Sequence, residues 1–252
     1  MLNGIVNRIA KIGVELEGGW DAPIPGYKVI RDGSVIFKQM NEVPFRTNPQ
    51  TGMLEPAIAG MTFPKYAIGE IVSPPLDINK LEEFLTQCHP QHINETCGLH
   101  VHMSFAHKLN YSRLMTPEFT PCIIQAIKAW GKAQELPAAH PLWDRVNNPH
   151  HQHCAQVYLG DKQVYVKDKD YHSRGTEYSR YTAINYCENQ HHTIECRVLP
   201  MFDTASQALS AIMCVLNATN LFLSKIRQRE RKVSATVLER PSVFSEIGSI
   251  VR

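Results

Sequence analysis

Three short stretches of the chain alternate polar, ligand-type side chains with apolar ones at a period of two. They are Gly13-Val14-Glu15-Leu16-Glu17, Gly98-Leu99-His100-Val101-His102-Met103-Ser104 and Thr193-Ile194-Glu195-Cys196-Arg197. Successive side chains of a strand point to opposite faces. Read as strands, these stretches place Glu15 with Glu17, His100 with His102 and Ser104, and Glu195 with Arg197. The opposite faces carry Val14 and Leu16, then Leu99, Val101 and Met103, then Ile194, Cys196 and Val198. One packed face and one polar face is the pattern of an antiparallel sheet. The polar face holds acids, imidazoles and a guanidinium, which are groups that bind metal and phosphate.

The same patterning predicts the remaining elements. Residues 8–17 read as the first strand, and 18–27 as a turn-rich segment. Lys28–Ile30 reads as a short strand entering a turn at Asp32-Gly33-Ser34. Residues 38–66 carry Pro and Gly with little periodicity and read as a long loop, a length that is often functional. Residues 68–73 form another strand, ended by Pro74-Pro75. Asp77 is placed to cap a helix with Ile78, Leu81, Phe84, Leu85 and Cys88 on one face. The histidine strand spans 97–105. Thr116-Pro117-Glu118 opens a second helix that runs to Gln134. Residues 137–155 read as a Pro/His/Asn-rich loop, and 156–171 as a hairpin around Gly160-Asp161. Arg180–Tyr186 fits a strand or a short helix. Residues 192–199 form the last strand, and Ala205–Arg229 a long amphipathic helix.

Composition narrows the class. The chain has 252 residues, enough for one full core. It is 43% hydrophobic and 20% charged, with a formal net charge of +2, which excludes a disordered chain and gives no footprint for nucleic acid. The seven cysteines are scattered without a C-x-x-C, so a disulfide scaffold is not expected. The apolar stretch at 208–223 is broken by Ser210, Asn217 and Asn220 and reads as a buried helix, not a membrane span. A reduced, cytoplasmic protein is expected, with neither nucleic acid nor membrane as partner.

Each motif has an ordinary explanation when taken alone. A strand carboxylate pair can be solvated, Glu70 can be an edge charge against aggregation, and Glu195 with Arg197 can be a structural ion pair. Together they point further. If Glu15, Glu17, Glu70 and Glu195 line one concave face, like charges about 4 Å apart cost on the order of 4 kcal/mol at an effective dielectric near 20. Such a cluster calls for cations. Oxygen-rich sites suit Mg²⁺ or Mn²⁺. Arg is the preferred phosphate clamp because its planar fork donates bidentately. There is no P-loop, so a nucleotide would have to bind on the sheet itself. His150, His151, His153 and Cys154 match no closed zinc spacing and read as a polar loop. His191 and His192 read as turn residues, and Arg227, Arg229, Arg231 and Lys232 as a solvated helix end.

The ordered set G-V-E-L-E, D-G-S, E-I-V-S-P-P, C-G-L-H-V-H-M-S, R-Y-T-A-I-N and T-I-E-C-R resembles the amidoligase family of carboxylate–amine ligases, related to glutamine synthetase and glutamate–cysteine ligase. The resemblance runs from about residue 12 to 200. It implies a single α+β domain over 1–252, with a curved antiparallel sheet of the glutamine synthetase-like half-barrel type and helices on its outer face. It implies ATP-dependent amide formation through an acyl-phosphate. By the same resemblance Glu15, Glu17, Glu70, His100 and Glu195 are metal ligands, and His102 and Ser104 lie beside the nucleotide. Arg197 and Arg180 face the phosphates. Asn185 orients Arg180 or the substrate, and Asp32 binds the incoming amine or substrate. The cofactors are ATP and Mg²⁺ or Mn²⁺, and the substrates are a small-molecule or peptide carboxylate and an amine. The chain departs from the family in its long 38–66 stretch, a candidate lid or substrate loop that includes Arg46, and in Cys196, where an aromatic residue is common. Rival readings are a phosphotransferase resembling guanidino kinases, a zinc hydrolase using His100, His102 and a Glu, and a binding module without catalysis.

Overall fold

The structure, a computed structural model, describes residues 8–37, 45–48, 50, 54–56, 67–154, 156, 182–187 and 193–238. The strands are β1 (Ile9–Trp20), β2 (Phe45–Thr47), β3 (Leu54–Pro56), β4 (Ala67–Val72), β5 (Gly98–Phe105), β6 (Ile184–Cys187) and β7 (Thr193–Pro200). The α-helices are α1 (Leu81–Cys88), α2 (Lys108–Leu114), α3 (Phe119–Ala133), α4 (Pro141–Asn147) and α5 (Ala205–Leu238). The protein is α+β. Five strands form one antiparallel sheet in the order β4-β1-β5-β7-β6, and β2 pairs with β3.

Period-two patterning builds this sheet. Ile12, Val14 and Leu16 of β1, Leu99, Val101 and Met103 of β5, and Ile194, Cys196 and Val198 of β7 are fully buried in one core. The helices supply the other wall of that core through Leu81, Phe84 and Leu85 of α1, Ile123 and Ile127 of α3, and Ala208, Ile212 and Val215 of α5. The Thr219 hydroxyl of α5 reaches Met103 Sδ across this interface at 3.5 Å. Among the described residues the helices lie on the apolar side, and the opposite side of the sheet holds the acids and imidazoles. By length and composition α5 could cross a membrane over Ala205–Arg231, and 44% of its apolar window is buried inside the protein.

Several elements differ from expectation. β1 continues through Gly18 and Gly19, which pair with Gly69 and Ile68. Trp20 anchors its end, fully buried, with Nε1 donating to Cys88 O at 2.8 Å. Asp77 does not cap α1. A 3₁₀ turn, Ile78–Lys80, intervenes, and the Asp77 carboxylate accepts from Lys11 Nζ at 2.8 Å. The segment at 137–155 contains α4, with His140 as its N-cap and Pro141 at its first turn. α2 was not expected, and α5 runs past Arg229 to Leu238. Lys28–Ile30 forms no strand, only a bridge between Ile30 and Glu70. β2 and β3 pair inside the expected 38–66 loop. The expected hairpin at 156–171 lies outside the described residues except Gln156, as do Arg180, His191 and His192.

Two register shifts shape the polar face. One lies in β1 between Ile9 and Lys11 against β5. The other lies between β5 and β7, where Leu99 faces Leu199 but Val101 faces Cys196. His100 therefore stands opposite a two-residue step, Arg197–Val198. A bulge of this kind bends the strand and re-aims side chains. It lets Val198 and Leu199 both join the core while Arg197 stays beside the acids.

Candidate metal and phosphate site

Sheet register brings the polar motifs together. Glu17 faces Glu70 across β1–β4, and Glu15 faces His100 across β1–β5. His102 faces Glu195 across β5–β7, and Asn185 faces Glu195 across β6–β7. Asp32 arrives by a different route. Ile30 and Glu70 exchange both backbone hydrogen bonds at 2.8 Å, which fixes the following turn over β4. Ser34 N–H then donates to Asp32 Oδ1 at 2.8 Å and sets the carboxylate. Gly69 permits this close approach: its φ is +152°, and a Cβ there would meet Ile30 O at 2.0 Å.

Two groups of three ligand residues result: Glu15, His102 and Glu195, and Glu17, Asp32 and Glu70. Within each group the candidate ligand atoms all lie within 4.8 Å of one another. His100 stands between the groups. Its Nδ1 is 2.8 Å from Glu15 Oε2 and 3.7 Å from Glu195 Oε1, and its Nε2 is 3.6 Å from Glu17 Oε1. His102, expected beside the nucleotide, joins a three-ligand group, with Nε2 at 2.9 Å from Glu15 Oε1. His100, expected as a ligand, lies within 4 Å of Glu15, Glu17 and Glu195.

The remaining expected residues divide. Glu195 Oε1 accepts from Arg197 Nη1 at 2.6 Å, and its Oε2 accepts from Asn185 Nδ2 at 2.8 Å. Asn185 in turn accepts a short bond from the Thr182 hydroxyl. Asn185 thus orients Glu195; Arg180, which it was expected to orient, lies outside the described residues. The Ser104 hydroxyl donates to Lys11 O at 3.2 Å and accepts from Lys11 N–H at 3.1 Å, so it clamps the β1 bulge. Beside the first group lies a cleft of about 340 Å³ whose lining includes Lys11, Gly13, Glu15, Val72, His102 and Thr193. Gly13 keeps its floor low, since a Cβ would come 3.1 Å from His102 Cβ.

Electrostatics separates the acids. Burial disfavours ionisation of Glu15, but hydrogen bonds from His100 and His102 and their charge outweigh it, holding its carboxyl far below the usual range. Glu70 moves the other way. Burial first, then the carboxylates of Glu15, Asp32 and Glu17, push it up to about 7. Burial alone would lower the Arg197 pKa; the charge of Glu195, its hydrogen bond, and then Glu15 and Glu17 raise it instead, so the guanidinium stays charged. An acid whose pKa is raised by burial and then by neighbouring carboxylates marks a cluster short of positive charge. That is the fit a divalent cation requires: oxygen donors in excess with one imidazole.

Gly98 serves the site directly. Its N–H donates to Glu17 Oε2 at 2.5 Å, and a Cβ there would lie 2.7 Å from His100 Nε2 and 2.9 Å from that same carboxylate oxygen. Gly98→Ala should therefore cost about 1–3 kcal/mol through overpacking and weaken Mn²⁺ binding. Thermal melts with and without Mn²⁺ test this; wild-type behaviour in both would mean that Glu17 and His100 can move aside freely.

Sequence reasoning missed Arg145. It is fully buried on α4 and donates to carbonyls of β7 and of the residue before β5. Its only signal was Pro141-Leu142-x-x-x-Val146, a helix start with an i, i+4 apolar pair hidden in a histidine-rich stretch. That stretch forms no zinc site among the described residues. His151 Nδ1 is 3.3 Å from Cys154 Sγ, His151 Nε2 is 3.5 Å from Asp144 Oδ2, and burial raises the Cys154 thiol to about 11.

No protein-family model, curated protein or solved structure matches this chain. Fold and site still define a class: an α+β protein whose antiparallel sheet carries, on the face opposite the described helices, an acid–imidazole cluster with a buried arginine.

Proposed function

We propose that this protein is an ATP-dependent carboxylate–amine ligase that forms amides through an acyl-phosphate. The observation that carries this reading is convergence. Motifs scattered from Glu15 to Arg197 in sequence meet in two adjacent three-ligand groups beside one arginine. A pair of divalent sites with an arginine is apparatus for holding and neutralising a transferring phosphoryl group. The motif order resembles amidoligases, and the bulges in β1 and β7, which bend strands, support a half-barrel of the glutamine synthetase type. Five carboxylates against one imidazole in the two groups favour Mg²⁺ or Mn²⁺ over the zinc of a hydrolase. Seven free cysteines and an ATP requirement fit the cytoplasm.

In this reading Glu15, His102 and Glu195 hold one ion, and Glu17 and Glu70 hold the other, with Asp32 on its open side toward the amine. The ions, when bound, supply charge neutralisation for the phosphate oxygens. Arg197 binds the phosphoryl group that moves from ATP to the substrate carboxylate, ADP leaving. The amine then displaces phosphate and the amide forms. Asn185 keeps Glu195 oriented, and His100 keeps Glu15 ionised between the two sites. The cleft beside His102 accepts the nucleotide.

Calorimetry tests the first requirement: ATP should bind only with Mg²⁺ or Mn²⁺ present. Tight ATP binding in chelator, or one tightly held zinc with no nucleotide affinity, would overturn the reading. Phosphate release with pooled acids and amines tests the second; a stable phosphorylated product without amide would favour the phosphotransferase.

The second ion site has a pH signature. Glu70 carries a proton below about 7, and a metal must displace it. Mg²⁺ binding should therefore release about one proton per ion below that pH and none well above it. Titrations in two buffers of different protonation heat measure the number released. No proton release at pH 6 would remove Glu70 from the ligand set.

A further inference from the structure

Arg145 is a buried charge in an unusual setting. Among the described residues no carboxylate pairs with it, and its Nε makes no hydrogen bond. Its Nη1 donates to Arg197 O at 3.4 Å and Leu199 O at 3.2 Å, and its Nη2 donates to Cys97 O at 3.1 Å. Taking a guanidinium out of water without a counter-ion is expensive, and an apolar side chain of similar volume is often as stable or more so. Stability alone is a poor reason for an arginine here.

The three carbonyls identify a better one. Arg197 O and Leu199 O flank Val198 in the two-residue step that faces His100. Cys97 O belongs to the peptide unit whose N–H, on Gly98, holds Glu17 Oε2. One planar fork therefore ties the β7 bulge to the start of β5, behind both the arginine and a carboxylate of the site. The bulge begins at Arg197 and lets Leu199 follow Val198 into the core directly after it. Without the fork, the Arg197–Val198 step loses the donor that fixes its peptide planes, and a bulge has no regular ladder to restore it.

The geometry points to Arg145 as the positioning residue for Arg197: its guanidinium, spanning Cys97, Arg197 and Leu199 carbonyls, locks the β7 bulge at Arg197 and so fixes the backbone from which Arg197 reaches Glu195. This does not depend on the ligase reading, since it concerns the aim of Arg197 whatever group the site holds.

The test is done on metal-free protein without nucleotide, so it stands apart from the functional proposal. The readout is hydrogen exchange of the Arg197 guanidinium N–H groups by ¹⁵N NMR, with the signals assigned by their loss in Arg197→Lys. Arg145→Met removes the fork and keeps the volume. Val146→Ala, at a buried α4 position, keeps the Arg145 fork and is the control for destabilised α4. Expected is exchange at Arg197 about tenfold or more faster in Arg145→Met than in Val146→Ala, as befits the loss of charge-assisted hydrogen bonds. Equal exchange in the two variants would overturn the proposal, as would a wild-type Arg197 already in fast exchange. If Arg145→Met does not fold, Arg145→Lys decides. A lysine keeps the charge but not the planar span, so acceleration is expected there too, and wild-type exchange would overturn the proposal.

Discussion

Arg197→Lys should leave the fold and the affinity for metal-bound ATP nearly unchanged while lowering turnover about a hundredfold. Arginine and lysine differ in what each can do after pairing with Glu195. Arg197 gives Nη1 to Glu195 Oε1 at 2.6 Å. A guanidinium has further N–H groups in the same rigid plane, aimed in fixed directions, with which to hold an anion. A lysine that keeps the ion pair offers an ammonium with no second fixed direction. The positive charge survives, so the acid cluster is still partly compensated and the sheet still closes. What is lost is a donor held where charge develops on the transferring phosphoryl group. The measurement is phosphate release with pooled acids and amines, alongside thermal melts and ATP calorimetry. Turnover near wild type in Arg197→Lys would leave Arg197 as a strand ion pair and remove it from catalysis.

The sheet was legible because its strands obey a strict two-residue period. Val14 and Leu16, Leu99 and Val101, and Ile194 and Cys196 are in the core as expected, and their neighbours Glu15, His100 and Glu195 are on the other face. Boundaries failed where local chemistry misled. Gly18-Gly19 reads as a turn, yet the long-range pairing to Gly69 and Ile68 and the burial of Trp20 hold it as strand. Pro, His and Asn around Pro141–Asn147 conceal a short helix whose propensity is weak but whose Leu142 and Val146 are buried. The charged run near Arg229 looks like a helix end, but α5 continues through it.

The site was legible as a list of residues, less so as an arrangement. How the two histidines sit against Glu15 and Glu195 depends on the register of three strands, and alternation alone only places His100 and His102 on the same face. Asp32 looked like a turn residue near a substrate. Its place beside Glu17 and Glu70 depends on the Ile30–Glu70 bridge, which Gly69 makes sterically possible. The bulge at Arg197–Val198 leaves no mark in composition, so neither it nor Arg145 behind it was visible. Alternation predicts Leu199 beside Arg197, whereas the extra residue sends it to the core.

The carboxylates of the cluster should respond to neutralisation with opposite signs. Glu195 is almost fully buried and accepts from Arg197 and Asn185. Glu195→Gln removes the carboxylate that lies 2.6 Å from a buried guanidinium, and breaking such a pair costs about 3–5 kcal/mol. Its metal-free form should melt markedly lower. Glu70 has no such compensation: burial and three neighbouring carboxylates raise it to about 7. A folded pKa raised above the unfolded value means that the folded state binds the extra proton. Stability is therefore full below the unfolded pKa of 4.5, falls as pH rises from there to about 7, and stays reduced above. Gln mimics the protonated acid. Glu70→Gln should raise the melting temperature of metal-free protein at pH 8 and leave it unchanged near pH 4.5, the reverse of Glu195→Gln at neutral pH. Both variants should lose most of the stabilisation that Mn²⁺ gives the wild type, because each removes a ligand. Melts at two pH values, with and without Mn²⁺, separate the cases. If Glu70→Gln lowers the melting temperature at pH 8, the acids form a structural ion-pair network that holds the sheet, and the cation-binding reading of this face fails.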